Sequence, residues 1–261
     1  MKTLRIVQIT DIHLLTKANA RLHGVDTAAS LQKVLDAIGE LSPQPEIIIA
    51  TGDLAEDGSI ATYKRLRRLL ASVNIPQYVL AGNHDDISEM HDTLVVGETI
   101  KIVDKARVGE WLFLFVNTQV PGKSHGHIST EEMSLLKANL ELAGETPVVV
   151  SLHHTPMPVC RQTNCQLQNV SEFNQLVEGF SCVKAVIAGH THIEAEQVKA
   201  GHIQFTTPST FAQVAHDVAF DSGAEGFWMT HTLDGSKHGF RVLDLMPDGQ
   251  LSSQVHWVFD N

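Results

Sequence analysis

Five short apolar stretches of this chain each run out onto a residue able to hold a metal ion. Residues 4–9 lead to Asp11 and His13, 47–50 to Asp53, 78–81 to Asn83, 148–152 to His153, and 183–188 to His190 and His192. Stretches this rich in Val, Ile and Leu describe strands covered on both faces, the habit of a mostly parallel sheet. In such a sheet the segments just past the carboxyl ends of the strands face one crevice, where residues distant in sequence meet. The pattern predicts an α/β fold with its chemistry at one end of the strands.

Helical repeats lie between the first strands. Ala28, Leu31, Leu35 and Ile38 recur three and four apart behind Asp26 and Thr27 as candidate caps, and Tyr63, Leu66, Leu69 and Leu70 do so after Ser59. Ser129 with Glu132 reads as a capping box opening a helix to about residue 142. From about residue 201 the pattern changes. Residues 203–207, 227–232, 240–246 and 251–259 read as strands, with Pro247-Asp248-Gly249 turning the last two into a hairpin. A second, more antiparallel sheet is expected from them, joined by residues 111–116 and packed on the first to give helix, sheet, sheet, helix layers. One domain over 1–261 is expected, with 1–200 as the metal-site core and 201–261 mostly strands of the second sheet.

Of 261 residues, 43% are hydrophobic and 19% charged, enough apolar chain for a large core. The net charge of -11 disfavours a partner that presents a long polyanion, such as nucleic acid or an acidic membrane surface. An anionic substrate then needs local positive charge, which bound divalent ions supply. Three cysteines, Cys160, Cys165 and Cys182, are too few for a disulfide framework, and the chain shows neither a leader pattern nor a run near the ~18 residues of a membrane span. A cytoplasmic location is the expectation.

Taken singly, each ligand-type residue has an ordinary explanation: Asp11 or Asn83 as a helix cap, Gly52-Asp53 as a turn, a lone histidine as a satisfied core donor. Seven of them at the same end of consecutive apolar strands do not. Within Asp11-Ile12-His13 and His190-Thr191-His192 the polar residues are two apart, which in an extended segment sends both side chains to one side.

The ordered set Asp11-x-His13, Gly52-Asp53, Gly82-Asn83-His84-Asp85, His153-His154 and Gly189-His190-Thr191-His192 resembles the motifs of the calcineurin-like metallophosphoesterases over about residues 4–210. Further segments resemble the bacterial 3′,5′-cyclic AMP phosphodiesterases of that superfamily: Leu22-His23-Gly24-Val25-Asp26, His125-Gly126-His127-Ile128-Ser129, Thr207-Pro208-Ser209-Thr210 and Gly239-Phe240-Arg241-Val242. The resemblance implies a four-layer sandwich of two mixed β-sheets flanked by helices, and hydrolysis of cyclic AMP to 5′-AMP by in-line attack of a metal-activated water.

Carried over residue by residue, it implies that Asp11, His13, Asp53 and His192 hold one metal, and Asp53, Asn83, His153 and His190 the other, with Asp53 shared. Carboxylate, amide and imidazole donors without thiolate suit Mn2+ or Fe2+/Fe3+, and also Co2+ or Zn2+. Asn83, His84 and His13 are the expected substrate contacts. His84 is the candidate for protonating the leaving oxygen, with Asp85 orienting its ring. His154 is expected behind the ligands, and His23, His125 and His127 in loops above the crevice. His216, His231, His238 and His256 match no motif. Cys160 and Cys165 read as free thiols. A small cyclic nucleotide is the expected partner, and homodimerisation is implied by resemblance alone. Two rivals stand beside this reading: a phosphodiesterase for another small diester, a 2′,3′-cyclic nucleotide or a nucleotide-sugar lipid, and a scaffold that kept the fold without the activity.

Overall fold

A computed structural model describes residues 2–95, 97, 99–159, 166–214 and 233–260. The strands and helices run β1 (Leu4–Ile9), α1 (Thr27–Gly39), β2 (Ile47–Thr51), α2 (Ile60–Leu70), β3 (Gln77–Leu80), α3 (Ile87–Leu94), β4 (Ile100–Lys101), β5 (Lys105–Val108) and β6 (Trp111–Phe115). They continue as α4 (Thr130–Ala143), β7 (Val148–Ser151), α5 (Val170–Glu178), β8 (Val183–Ala188), β9 (Ala195–Lys199) and β10 (His202–Thr206). The short pair β11 (Gln213–Val214) and β12 (Leu233–Asp234) precedes the long hairpin β13 (Lys237–Leu245) and β14 (Leu251–Phe259).

Two six-stranded mixed sheets result, in the orders β14-β13-β1-β2-β3-β4 and β5-β6-β7-β8-β10-β9. The alternation of side chains explains why the strands read as unbroken apolar runs. Ile6, Ile49, Val149, Ala185 and Ile187 point into the layer between the sheets. Their neighbours Val7, Ile48 and Ala50 face α1 and α2, while Val148, Val150 and Val186 face α4 and α5. Helices therefore cover both outer faces, as expected.

The caps read from sequence form. Asp26 accepts from the backbone N–H groups of Ala28 and Ala29, and Ser59 from that of Thr62. Ser129 accepts from Glu132, but the Glu132 carboxylate turns to the N–H of Asn117 and not back to the cap, so only half a capping box is made.

The late strands correct the expectation of a separate second sheet. β13 pairs antiparallel with β1, carrying β14 into the first sheet, whereas β10 lies parallel to β8 in the other. Period-two alternation specifies a face for a strand but not its neighbour, and only the long-range pairing settles that. The strand expected at 227–232 lies outside the described residues, as do Cys160, Cys165, His216 and His231. Among the described residues no helix is long and apolar enough to cross a membrane.

Candidate metal centre

The parallel strands β1, β2, β3, β7 and β8 all deliver their following loops to one end of the sandwich, and the seven candidate donors gather there. Asp11, His13, Asp53, His153, His190 and His192 are buried, while Asn83 and His84 sit half-exposed at the rim. His13 Nε2 lies 3.2 Å from His192 Nε2, and His190 Nδ1 lies 3.2 Å from His153 Nε2. Asp53 Oδ2 stands between the two sets, 3.6 Å from His13 Nε2 and 3.4 Å from His153 Nε2. Asp11 Oδ1 is 3.4 Å from His192 Nε2, and Asn83 Oδ1 is 3.3 Å from His153 Nε2.

The backbone that brings them in is not the extended one expected. Asp11, His13, Asp53, His190 and His192 adopt φ of 52°, 47°, 49°, 72° and 54°, the left-handed region. Each such residue costs about 1–2 kcal/mol for a side chain with a Cβ, and survives where the surroundings over-determine it. The surroundings here do so. Asp11 N–H donates to Gly52 carbonyl at 3.0 Å and His13 N–H to Asp53 carbonyl at 2.9 Å, while His190 N–H donates back to the Asp11 carboxylate at 2.9 Å. Gly82 and Gly189 press so closely on Asp53 and on Thr10 and Asp11 that a Cβ at either would collide with them.

Second partners choose which ring nitrogen faces inward. His13 donates its Nδ1–H to Glu56 at 2.7 Å, His153 to Thr51 carbonyl at 2.8 Å, and His192 to Ala212 carbonyl at 2.7 Å. In the neutral rings Nε2 is then a lone pair, and the lone pairs of His13 and His192 face each other. A proton or a cation must lie between them. His190 turns Nδ1 inward, and its buried Nε2 has no hydrogen-bond partner among the described residues. Burial works against charge throughout the site, yet the histidines, His153 foremost, hold Asp53 well below the usual carboxylate range. At His153 burial is outweighed by Asp53 and the pKa rises to about 9, while burial and the charge on His153 push His190 down to about 3. Without cations the cluster retains protons; metal ions displace them. The donor set fits two divalent ions.

Other expected residues take different places. Asp85 does not orient the His84 ring: its carboxylate accepts from the N–H groups of Leu54, Ala55 and Gly82 and from the Tyr63 hydroxyl, tying the Asp53 loop to the Asn83 loop. Burial and the nearby Asp53 charge raise its pKa. The residue beside the His84 ring is Glu56, which sequence reasoning missed. Its Oε2 lies 3.3 Å from His84 Nδ1 as well as 2.7 Å from His13 Nδ1. Its only sequence signal was its position three residues past Asp53, which does not reveal that both rings come to it. Replacing Glu56 with glutamine keeps an acceptor for His13 and is expected to keep metal affinity near wild type. Leucine is expected to weaken it roughly 10- to 100-fold by calorimetric titration, and equal affinities for the two variants would refute this role.

His154 lies behind the donors, its Nδ1 2.7 Å from the Thr118 hydroxyl and its ring against Gly126, while burial and His190 hold it well below its usual pKa. The segment carrying His125 and His127 therefore contributes the Gly126 backbone as a surface for His154. Thr207, Ser209 and Thr210 buttress the first motif: Ser209 Oγ donates to Asp11 carbonyl at 2.7 Å and Thr210 N–H to Thr10 carbonyl at 3.1 Å. Buried Arg241 donates to the Thr207 hydroxyl and to Thr206 carbonyl, so the late β13 segment also supports the site. His238 is buried between Phe211 carbonyl and Asp260, and His256 stacks on Phe240.

Fold and site together define a metal-dependent phosphoesterase. The chain belongs to the calcineurin-like phosphoesterases, whose family model matches residues 4–194. It is 35% identical to the 3′,5′-cyclic adenosine monophosphate phosphodiesterase CpdA of Escherichia coli K12, with 98% of this chain and 90% of that protein covered. Identity to the CpdA of Pseudomonas aeruginosa is 33%, over 98% of this chain and 90% of that one. A dimetal phosphatase from Danio rerio shares the fold, with a TM-score of 0.65 at 11% identity over 98% of both chains. GAP50 of Plasmodium shares it with a TM-score of 0.66 at 13% identity, over 97% of this chain and 84% of that one.

Proposed function

We propose that this chain hydrolyses 3′,5′-cyclic AMP to 5′-AMP. The observation that carries the catalytic part is the convergence of seven donors at the mouth of the sandwich, with the Nε2 atoms of His13 and His192 facing each other at 3.2 Å. The substrate part is supported by relatives at 33 and 35% identity over nearly the whole chain, both named as cyclic AMP phosphodiesterases.

Asp11, His13, Asp53 and His192 would hold one ion and Asp53, Asn83, His153 and His190 the other, with manganese or iron the best match to this oxygen and nitrogen set. Two such ions supply positive charge to the phosphoryl oxygens and make water acidic enough to attack at neutral pH. The remaining work falls to the chain. Asn83 sits at the rim, where its amide reaches the phosphate. His84 is anchored by its backbone N–H, which donates to Asp53 Oδ1 at 2.9 Å, and its ring lies 4.8 Å from that of His13. With Nδ1 turned to Glu56, the His84 ring is placed to give a proton to the departing O3′. The P–O3′ bond breaks, the oxygen of water bonds to phosphorus, and the phosphate stays on O5′.

Product analysis tests this reading. Metal-reconstituted protein with 3′,5′-cyclic AMP is expected to yield 5′-AMP, with a higher kcat/KM than for a 2′,3′-cyclic nucleotide or an aryl diester. A preference for either alternative would transfer the activity to another diester, and no hydrolysis of any of them would leave the scaffold reading.

A further inference from the structure

A small cavity of about 220 Å³ opens beside the donors, lined by His13, Glu56 and His84 on one side and by Leu22, His23 and Phe211 on the other. The first three belong to the phosphate end of the site. The second three are given no work by the hydrolytic chemistry. Sites that enclose a drug-sized ligand run to roughly 300–1,000 Å³, so this one has room for a ring system attached to whatever the metal centre holds. A larger cavity of about 630 Å³ near α3 and α4 is lined by none of the seven donors, so a substrate seated there would not reach them.

The outer wall is a hydrogen-bonded turn. Leu22 and Val25 exchange both backbone hydrogen bonds at 2.9 Å, and His23 and Gly24 between them adopt φ of 47° and 86°, the geometry of a tight turn with two left-handed residues. Arg21 fastens the turn from outside by donating to Gly24 carbonyl at 2.9 Å, and Asp26 caps α1 directly after it. Glycine or asparagine would hold the His23 backbone with less strain. A histidine at this tip, exposed and facing a cavity, is a costly choice unless its ring is used. Opposite it stands buried Phe211, whose N–H donates to Ser209 Oγ at 2.8 Å and whose ring lies 5.7 Å from that of His13.

We propose that the cavity between the Leu22–Val25 turn and Phe211 seats the nucleobase, with the His23 ring as its stacking face and Leu22 and Phe211 as apolar walls. This rests on the cyclic nucleotide reading and adds the residues that recognise the base. Flat rings of protein and base stack irrespective of base identity. The seat therefore favours nucleotides over base-free diesters without choosing strongly between adenine and guanine.

The test uses His23→Gly, a substitution the left-handed backbone accepts without strain, so the variant folds. Binding of 5′-AMP and of ribose 5-phosphate to the metal-loaded protein is measured by calorimetry, beside kcat/KM for cyclic AMP and for ethyl p-nitrophenyl phosphate. Wild type is expected to prefer 5′-AMP, and the variant to lose roughly 5- to 150-fold of that preference, the range one stacked base supplies. The kcat/KM for cyclic AMP should fall in parallel and that for the base-free diester should not. An unchanged preference in the variant, or an equal fall on both diesters, overturns the seat while leaving the hydrolase reading intact. Wild-type protein that hydrolyses the base-free diester but neither cleaves cyclic AMP nor prefers 5′-AMP overturns both.

Discussion

Asp53→Asn is expected to lower turnover by roughly a thousandfold or more, the several kcal/mol that two-metal electrostatics contribute to phosphoryl transfer. The reason lies in its position. Asp53 Oδ2 is within 3.6 Å of an imidazole from each half of the site, and its Oδ1 accepts the backbone N–H of His84 at 2.9 Å. An amide in its place removes one of the two carboxylates among the seven donors and can turn an N–H toward the inward nitrogens of His13 and His153. Metal content after dialysis, measured by atomic emission, should fall from two ions per chain to one or none. A variant that retains two ions and near-normal turnover would show that Asp53 is not the shared ligand.

His84→Ala is expected to separate metal binding from turnover. The ring is half-exposed at the cavity mouth, with Nδ1 3.3 Å from both the carbonyl and the carboxylate of Glu56 and its face against His13. Its removal deletes none of the seven donors and leaves Glu56, Thr51 and Ala212 in place to hold His13, His153 and His192. A general acid contributes roughly 10²- to 10⁴-fold, and the loss should be of that order for cyclic AMP, whose leaving group is a poor alkoxide. On a p-nitrophenyl diester, whose leaving group departs without a proton, the loss should be far smaller. Full occupancy by two ions with near-normal hydrolysis of cyclic AMP would remove His84 from the mechanism, and equal losses on both substrates would make it a positioning residue.

Much of this molecule is legible in its sequence. The apolar runs are strands at almost the expected positions, the caps at Asp26, Ser59 and Ser129 form, and the seven donor types at the strand ends meet at one end of the sandwich. These features are local: a run buried on both faces, a side chain that caps its own helix, a loop that follows its own strand. The features that differ from expectation are non-local. The β13–β14 hairpin joins the sheet of β1 and not the second sheet, since alternation does not name a partner. The Asp85 carboxylate binds backbone N–H groups and Tyr63 in place of the His84 ring, since adjacency in sequence says nothing about where it points.

By itself the sequence determined the kinds of donor and the end of the sheet at which they would be found, since composition and strand order dictate both. Tertiary structure decided which nitrogen of each ring faces inward, because that choice depends on an acceptor borrowed from another element: Thr51 for His153, Ala212 for His192, Glu56 for His13. It also decided the left-handed backbone at five of the seven donors, a strained geometry held by hydrogen bonds between the loops of different strands, within the first sheet and across to the second.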